Sequence, residues 1–460
     1  MPGTVRVTSV RLRHYHGRDM WESREALPRS AIDNRARLLD LAGDLFAEQG
    51  YVQVSVRDLA SRLGLTTGAI YSNFRSKGDL LAEILERRVR QGMEQSHPDM
   101  PLPEYVHDSF RQLSTRTTMR ALLVEAAAAA RTDPELRGRL NPVLSALLSH
   151  WIGDYRDWQK VLHVDRRIDM DGLVRTLWSI ELGLGILEAT GGSTVKREGL
   201  ATFVSSYLKG LERTDGPRKS GASAPPTKGA GSDAPDALAD ANREFSAPTG
   251  ALRDSPRAAA TQLQLMDAAV ELFAARGYRA VTVRDLARAT SLTTGSIYGN
   301  FANKAVLLVE VIEARIGQDL ERLPADLLAT ASPADLVEFN LLAFASRARL
   351  RSLVLEGAAA ARSDGEVRTR LRSVLEYHLA TWASGLEDRL GGSVRAHPGV
   401  LTAVTAVWGA ELGLGLFEAL ELPTPTPAQL AATFKAMFSQ AGFDTRSATS
   451  KRTVRNRVAR

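Results

Sequence analysis

The chain has 460 residues, 44% of them hydrophobic and 6% aromatic, a mixture that favours a soluble, mainly helical protein of several domains. It contains no cysteine, which excludes disulfides, thiolate catalysis and zinc sites built from cysteine. The start of the chain has no apolar signal-like segment. No stretch free of charges and turn residues is long enough to span a bilayer, so we expect a cytoplasmic protein.

The net charge of +6 comes from the two ends of the chain. Residues 1–30 hold six arginines and three acids, and residues 445–460 hold six basic residues and no acid. Basic arms of this kind suit contact with a polyanion such as nucleic acid, and a solvated tail that aids solubility is the alternative. We predict a basic N-terminal arm over 1–30 and a basic tail over 444–460.

The first predicted helix has a single apolar face. Its apolar residues recur at spacings of three and four: Leu38, Leu41, Ala42, Leu45 and Phe46. Gly50 follows at the position where glycine ends many helices. Ser55 and Asp58 then form a capping-box pattern, which predicts the start of a second, short helix.

A helix-turn-helix motif is predicted next. A turn at 64–66 separates the second helix from a third, which begins near Thr66 or Thr67 and reads TTGAIYSN. The N-terminal part of such a helix enters the DNA major groove. Ile70 and Phe74 should face the core, whereas the opposite face is small or polar: Thr67, Gly68, Tyr71 and Ser72. Glycine on that face lets a DNA surface come close to the backbone.

Lys77 stands at the first position of a fourth helix, which Ser76 and Asp79 are predicted to cap. A cation there opposes the helix dipole, and a bound phosphate would reverse that balance. The alternative is an exposed lysine that is tolerated at a small cost in stability.

The whole pattern occurs twice. LTTGAIYSNF returns 227 positions later as LTTGSIYGNF, and 19 of the 30 residues in 45–74 are identical in 272–301. LLVEAAAAARTD and WSIELGLGILEA return in the same order as LVLEGAAAARSD and WGAELGLGLFEA. We therefore predict two complete copies of one structure, over 30–212 and 257–443, and name them unit one and unit two.

Between the units, residues 213–256 are rich in Gly, Pro, Ser and Ala and lack apolar periodicity, which predicts a flexible linker. A linker of about forty such residues has a root-mean-square reach of roughly 35 Å. The two units can therefore pair with each other inside one chain.

The second part of each unit is predicted to be a bundle of helices. The segments are 104–131, 134–158, 168–190 and 198–212 in unit one, and 334–362, 366–390, 398–420 and 427–441 in unit two. Pro142 lies within one segment and can kink or split it. The repeated ELGLG sequence places two glycines inside a helix, at a cost of about 1 kcal/mol each against alanine, which indicates close helix packing.

Four residues of these apolar helices are candidates for an effector pocket: Trp178, Glu181, Trp408 and Glu411. The glutamates would contact a cationic or hydroxylated effector. The alternatives are a carboxylate at the interface or exposed beside the glycines, and tryptophans buried in the core.

This arrangement resembles the tetracycline-repressor (TetR) family of bacterial regulators. LFAEQGY followed by SVRDLASRLGLTTGAIYSNFRSKGDLL agrees with the family in order and spacing, and LFAARGY with TVRDLARATSLTTGSIYGNFANKAVLL repeats the match. The resemblance implies an all-α fold. In each unit a three-helix helix-turn-helix domain (31–90 and 257–317) precedes a helical ligand-binding and dimerising domain (91–212 and 318–443).

The resemblance also implies which residues contact DNA. Phosphate contacts are expected from Ser55, Tyr71, Lys77, Thr282, Tyr298 and Lys304. Groove contacts are expected from Thr66, Thr67, Gly68, Ala69, Ser72, Thr293, Thr294, Gly295, Ser296 and Gly299. Ser291 departs from the pattern, because unit one has Gly64 at that turn. The fusion departs as well, because family members generally use two identical chains.

The sequence thus predicts a transcriptional regulator, and by expectation a repressor, that binds a near-palindromic double-stranded DNA operator as a covalent pseudo-dimer. The resemblance implies release by a small-molecule effector. The alternatives are a non-specific architectural DNA-binding protein and a regulator without a ligand. We do not expect an enzyme, because the sequence has no metal-binding histidine cluster, P-loop or activated nucleophile. No cofactor and no membrane partner are expected.

Overall fold

The computed structural model describes residues 29–94, 116–192, 197–211, 256–321, 343–389 and 399–440, which form helices and short turns without a β-strand. The basic C-terminal tail, nearly all of the N-terminal arm and of the linker, and the first parts of two predicted helices (104–115 and 334–342) lie outside the described residues. The prediction of an all-α chain is confirmed over the described part.

The same series of helices occurs in each unit. Unit one contains α1 (Arg29–Gln49), α2 (Val56–Leu63), α3 (Thr67–Tyr71), α4 (Lys77–Glu94), α5 (Thr117–Ala130), α6 (Pro134–Val161), α7 (Met170–Ala189) and α8 (Arg197–Leu211). Unit two contains α9 (Pro256–Arg276), α10 (Val283–Thr290), α11 (Thr294–Asn300), α12 (Lys304–Glu321), α13 (Ala348–Ala361), α14 (Gly365–Arg389), α15 (Gly399–Ala419) and α16 (Pro427–Gln440). A 3₁₀ segment, Ala343–Arg347, leads into α13. The helices α9 to α16 correspond in order to α1 to α8.

Glycines end the first helix of each unit. Gly50 has a φ of 88° and Gly277 a φ of 77°, both in the left-handed region that glycine adopts without steric cost. α1 buries the predicted apolar face, except for Leu41, which is half-buried. Local sequence signals therefore set where the chain leaves α1 and α9.

Pro142 does not split the helix that contains it. α6 runs without interruption from Pro134 to Val161. The helix buries Leu140 and Val143 on either side of the proline, so packing holds it together where one backbone hydrogen bond is missing.

The two units meet mainly where α7 crosses α15. A Cβ atom at Gly183 would overlap the backbone carbonyl of Gly409, and one at Gly413 would overlap the carbonyl of Ser179. A side chain at either glycine would therefore push the helices apart. The close helix packing predicted from the repeated ELGLG sequence is present in the structure.

The last helix of each unit packs on the other unit. α16 lies on α7 and α8 lies on α15, which completes a four-helix arrangement around the crossing. Nε2 of Gln429, in α16, donates a hydrogen bond to Oδ2 of Asp169 at 2.6 Å. Nδ2 of Asn141, in α6, donates to the carbonyls of Leu420 and Glu421 at 3.0 and 2.8 Å. Polar contacts thus surround the apolar crossing.

α15 is long and apolar enough, by length and composition, to cross a membrane. However, 78% of its most apolar window is buried in the bundle, where α15 contacts α7, α13 and α14. Its apolar surface is accordingly that of a central core helix.

Gly183→Ala should force α7 and α15 apart and lower the free energy of unfolding by about 3 kcal/mol, as overpacking of a core does. Gly153 is a matched control, because it is an exposed glycine in α6 with open space where a Cβ would stand. Gly153→Ala should leave stability unchanged or raise it by about 1 kcal/mol. Denaturant unfolding measures both changes, and equal stabilities of the two variants would contradict the close crossing.

Candidate nucleic-acid interface

Each unit carries one helix-turn-helix, and we name residues 55–74 head one and residues 282–301 head two. Both begin with the predicted capping box. The hydroxyl of Ser55 accepts a hydrogen bond from N–H of Asp58 at 3.1 Å, and the Asp58 carboxylate accepts one from N–H of Ser55 at 3.0 Å. Thr282 and Asp285 make the same exchange at 3.2 and 2.8 Å. α2 and α10 are therefore started by the same local interaction.

The capping carboxylates hold the hydroxyls that are predicted to contact phosphate. Ser55 and Thr282 each donate their hydroxyl proton to the capping aspartate, at 2.6 and 2.7 Å. These hydrogen bonds lower the pKa of Asp58, and lower that of Asp285 to about 2. A bond from either hydroxyl to a phosphate would require the hydroxyl to rotate away from its aspartate.

The turn inside each head has the same backbone shape. Gly64 has a φ of 65° and Ser291 a φ of 55°, both left-handed. A left-handed conformation costs a residue with a Cβ atom about 1 kcal/mol or more, and costs glycine almost nothing. Head two keeps the turn with Ser291 and so stores strain that head one lacks.

The second helix of each head turns one face inward and one outward. Ile70 and Phe74 are buried beneath α3, and Ile297 and Phe301 beneath α11. The exposed outer face carries Thr67, Gly68, Tyr71 and Ser72 in head one, and Thr294, Gly295, Tyr298 and Gly299 in head two. This division is the one predicted from the sequence.

The capping threonines and the tyrosines have different surroundings. Thr66 accepts a hydrogen bond from N–H of Ala69, and Thr293 accepts one from N–H of Ser296, each at 3.1 Å. Their hydroxyls therefore fix the start of the helices. Tyr71 and Tyr298 are 54% and 56% exposed, so both rings are accessible to a partner.

Gly68 and Gly295 have no role in packing within the described chain. A Cβ at either position would meet only the capping threonine hydroxyl, at 3.8 and 3.7 Å, which is ordinary contact. Neither glycine has a left-handed φ. Glycine inside a helix costs about 1 kcal/mol relative to alanine. A side chain at either position would therefore fit within the protein, and a groove contact there remains a prediction.

The heads differ at two predicted groove positions. Ala69 in head one corresponds to Ser296, whose hydroxyl lies 3.0 Å from that of Thr293. Ser72 donates its hydroxyl proton to the carbonyl of Ala69 at 2.9 Å, and a Cβ atom at its counterpart Gly299 would meet no atom within 4 Å. Head one and head two thus present different surfaces next to the same Thr-Thr-Gly sequence.

Lys77 and Lys304 have internal partners that sequence reasoning missed. Nζ of Lys77 donates to the carbonyl of Val54 at 2.9 Å and lies 4.3 Å from the ring centroid of Tyr51. Nζ of Lys304 donates to the carbonyls of Tyr278 and Val281, both at 2.9 Å. Each lysine thus fastens the loop between the first two helices to the fourth helix. The repeated pairing of this lysine with a tyrosine is the sequence signal that could have revealed the role, and a phosphate contact remains a prediction.

The effector candidates have partners in the core. Trp178 is 3% exposed and packs edge-on against Trp151 and Phe417, whereas Trp408 is half-buried against the core. Glu181 lies 3.4 Å from the Arg116 guanidinium.

Glu411 makes a shorter pair, 2.7 Å from Arg351, an arginine that is almost fully buried and that also pairs with Glu418. Burial raises the pKa of Glu411, and Arg351 opposes this. Each glutamate is thus paired with an arginine of its own unit and is not exposed beside the glycines, and an effector contact remains a prediction.

Two ion pairs, each between a glutamate of one unit and an arginine of the other, join the loop before each head to the helical bundle. Glu125 in α5 accepts a hydrogen bond from N–H of Tyr51 at 2.9 Å and pairs with Arg362 of unit two at 3.0 Å. Glu356 in α13 accepts one from N–H of Tyr278 at 2.9 Å and pairs with Arg131 of unit one at 3.1 Å. Burial raises the pKa of both glutamates, and the arginines oppose it. The repeated Glu and Arg at the two ends of the alanine runs are the signal that could have revealed this cluster.

Titration of Lys77 should change stability with pH. Burial, and then repulsion by Arg279, lowers the pKa of Lys77 from 10.5 to about 8. The unfolded chain therefore binds more protons than the folded chain between these values, so Lys77 makes stability rise with pH across this window. Lys77→Met should flatten that part of the profile, as measured by denaturant unfolding at several pH values. An unchanged profile would contradict a half-buried amine.

Comparison with known proteins assigns the two heads to one family. The model of bacterial regulatory proteins of the tetR family matches residues 38–84 and 265–311. An uncharacterised HTH-type transcriptional regulator of Mycobacterium tuberculosis is 32% identical over 116 residues, which are 24% of this chain and 59% of the relative. The chain thus spans somewhat more than half the length of that relative.

Two further relatives are similar over longer and shorter stretches. The HTH-type transcriptional repressor KstR2 of Rhodococcus jostii is 28% identical over 186 residues, which are 38% of this chain and 85% of the repressor. The fatty acid metabolism regulator protein of Bacillus subtilis is 34% identical over 70 residues, which are 15% of this chain and 36% of that protein. With the family domain present twice in one all-α chain, this protein belongs to the tetR family of bacterial regulators as a tandem of two units.

Proposed function

We propose that the chain is a sequence-specific transcriptional repressor of the cytoplasm, whose two heads read the two halves of one near-palindromic DNA operator. The observation that carries this proposal is the pair of glycines at the start of α3 and α11. Gly68 and Gly295 cost helix stability and relieve no contact inside the protein. A base edge or sugar-phosphate surface in a major groove is the partner that such a helix is shaped to meet.

The charge around the heads supports a DNA partner. Arg57, Arg62 and Arg75 are exposed in or beside head one. Arg284 and Arg288 are exposed in head two. Guanidinium groups around a small, polar helix face suit phosphate contacts, which position a protein on DNA, while the helix face reads bases.

One chain can supply both heads. The pairing of unit one with unit two through α7 and α15 is supported by the glycine contacts at their crossing and by the crossed ion pairs at Glu125 and Glu356. The similarity to a named repressor, KstR2, supports repression as the mode of regulation. We therefore propose a covalent pseudo-dimer, in which one chain binds each operator.

We also include release by a small-molecule effector in the proposal. Ion pairs that connect α7 to the DNA-binding part of unit one support effector release. Arg120 of α5 pairs with Glu188 of α7 at 2.6 Å. Glu125 of the same α5 accepts a hydrogen bond from N–H of Tyr51, in the loop before head one. A ligand that shifts α7 would therefore move α5 and the head with it. Trp178, Glu181, Trp408 and Glu411 remain the candidate contacts.

Gly68→Ala together with Gly295→Ala should separate folding from DNA binding. Stability should stay equal or rise by about 1 kcal/mol per site, because alanine favours the helix and finds space. Affinity for a site selected by the parent chain should fall by roughly tenfold or more, the range of one lost base contact. Unfolding and DNA titration at one fixed salt concentration measure the two effects. Unchanged affinity would contradict close approach of DNA to these glycines.

The differences between the heads should make the preferred site imperfectly palindromic. Alanine offers a methyl group and serine a hydroxyl, so Ala69 and Ser296 should prefer different bases. Exchanging the residues, Ala69→Ser and Ser72→Gly with Ser296→Ala and Gly299→Ser, should invert the preferred orientation of the site. Selection from random DNA by parent and exchanged chains tests this. A perfect palindrome from both would contradict base reading at these positions, and no selection at all would favour an architectural DNA binder.

A further inference from the structure

The ion-pair cluster between the units is not symmetric. Most of its members have an identical counterpart, since Glu125, Arg131 and Tyr51 correspond to Glu356, Arg362 and Tyr278. The residue after the tyrosine differs, because unit one has Val52 where unit two has Arg279. One extra cation therefore enters the cluster from one side only.

Arg279 reaches across from unit two to unit one. Its Nη1 lies 3.8 Å from Oε2 of Glu125, whose side chain is completely buried, and its Nη2 donates to the carbonyl of Ala359 at 2.9 Å. Glu125 consequently has two arginines from unit two, Arg362 and Arg279. Among charged groups, Arg279 makes the largest contribution in opposing the rise of the Glu125 pKa.

The counterpart of Arg279 is apolar and largely exposed. Val52 is 47% exposed and lies, with Arg279, beside a cleft of about 400 Å³ between unit one and unit two. Glu356 pairs with Arg131 of unit one at 3.1 Å, and Arg279 of its own unit acts on Glu356 more weakly than Arg131 does. The two sides of the cluster thus differ by the single charge of Arg279.

We infer that Arg279 makes unit one, and not a second copy of unit two, the favoured partner of unit two. This inference rests on the pairing proposed above and adds its selectivity. Two copies of unit two would bring two Arg279 side chains to the cluster, each close to Lys304 of the other copy. Two copies of unit one would leave each buried glutamate with a single arginine.

Electrostatics favours the mixed pair over these alternatives. Burial lowers the pKa of Lys77, and Arg279 lowers it further across the interface, so a single guanidinium already repels the lysine. Like charges placed together at an interface suppress wrong partners, and a buried carboxylate needs its cations. A tandem chain built this way disfavours pairing of like units from different chains, which would otherwise link chains into larger assemblies.

The test compares pairs after the two units are separated. A protease site placed in the predicted linker, at 217–230, allows the folded full-length chain to be cut once. After incubation to equilibrium, native mass spectrometry counts the mixed pair and the two like pairs. For the parent sequence we expect the squared concentration of the mixed pair, divided by the product of the two like-pair concentrations, to exceed its value for random pairing by roughly tenfold or more, given the charge repulsion in the like pair of unit two.

Matched variants test the contribution of Arg279 alone to the choice of partner. Arg279→Val should return the mixture towards random pairing, and Val52→Arg combined with Arg279→Val moves the charge to the other unit and should restore the excess of mixed pairs. Helical content and thermal unfolding of each cut chain verify folding. Random pairing in the parent, or an excess that survives Arg279→Val, would overturn the inference. Separation into single units would overturn it together with the pairing, and because no DNA is present, the result does not depend on DNA binding.

Discussion

Two buried carboxylates hold the architecture together. Glu125 and Glu356 each bind the backbone just after the glycine that ends the first helix, and each pairs with an arginine of the other unit. Removing one partner from a buried ion pair costs about 3–5 kcal/mol, so each head is fixed both to its own bundle and to the opposite unit. The relative placement of the heads depends on this cluster, and the proposed reading of one operator by both heads requires that placement.

Glycine serves three separate purposes in this chain. Gly64 takes up a left-handed turn, which Ser291 adopts with strain in the other unit. Gly183 lets two helix backbones touch, and Gly68 leaves an exposed helix bare although the protein has space for a side chain. The first two purposes concern folding. The third costs stability without internal return, and the proposed contact with DNA would account for that cost.

Much of the fold follows from local sequence, because capping boxes, terminal glycines and apolar periodicity act over a few residues. The pattern around Ser55 and Gly50 therefore predicted the helix ends, and the repeat predicted the tandem. The internal partners of the site residues, however, could not be predicted from local sequence. The amine of Lys77 points to carbonyls of a neighbouring loop, and Glu125 pairs with Arg362 far along the chain. Such partners are brought together by tertiary packing, which the identity of a residue and its sequence neighbours does not reveal.

In the proposed pairing a single chain presents both heads, and the distance between the heads provides a test. Because the chain has no cysteine, Glu48→Cys and Ala275→Cys place spin labels only at the exposed ends of α1 and α9. Pulsed electron paramagnetic resonance is recorded on the selected DNA site, with and without a large excess of unlabelled chain. We predict one narrow distance that persists undiminished in the excess. A distance signal that disappears on dilution would mean that the paired heads come from different chains, and would contradict the account.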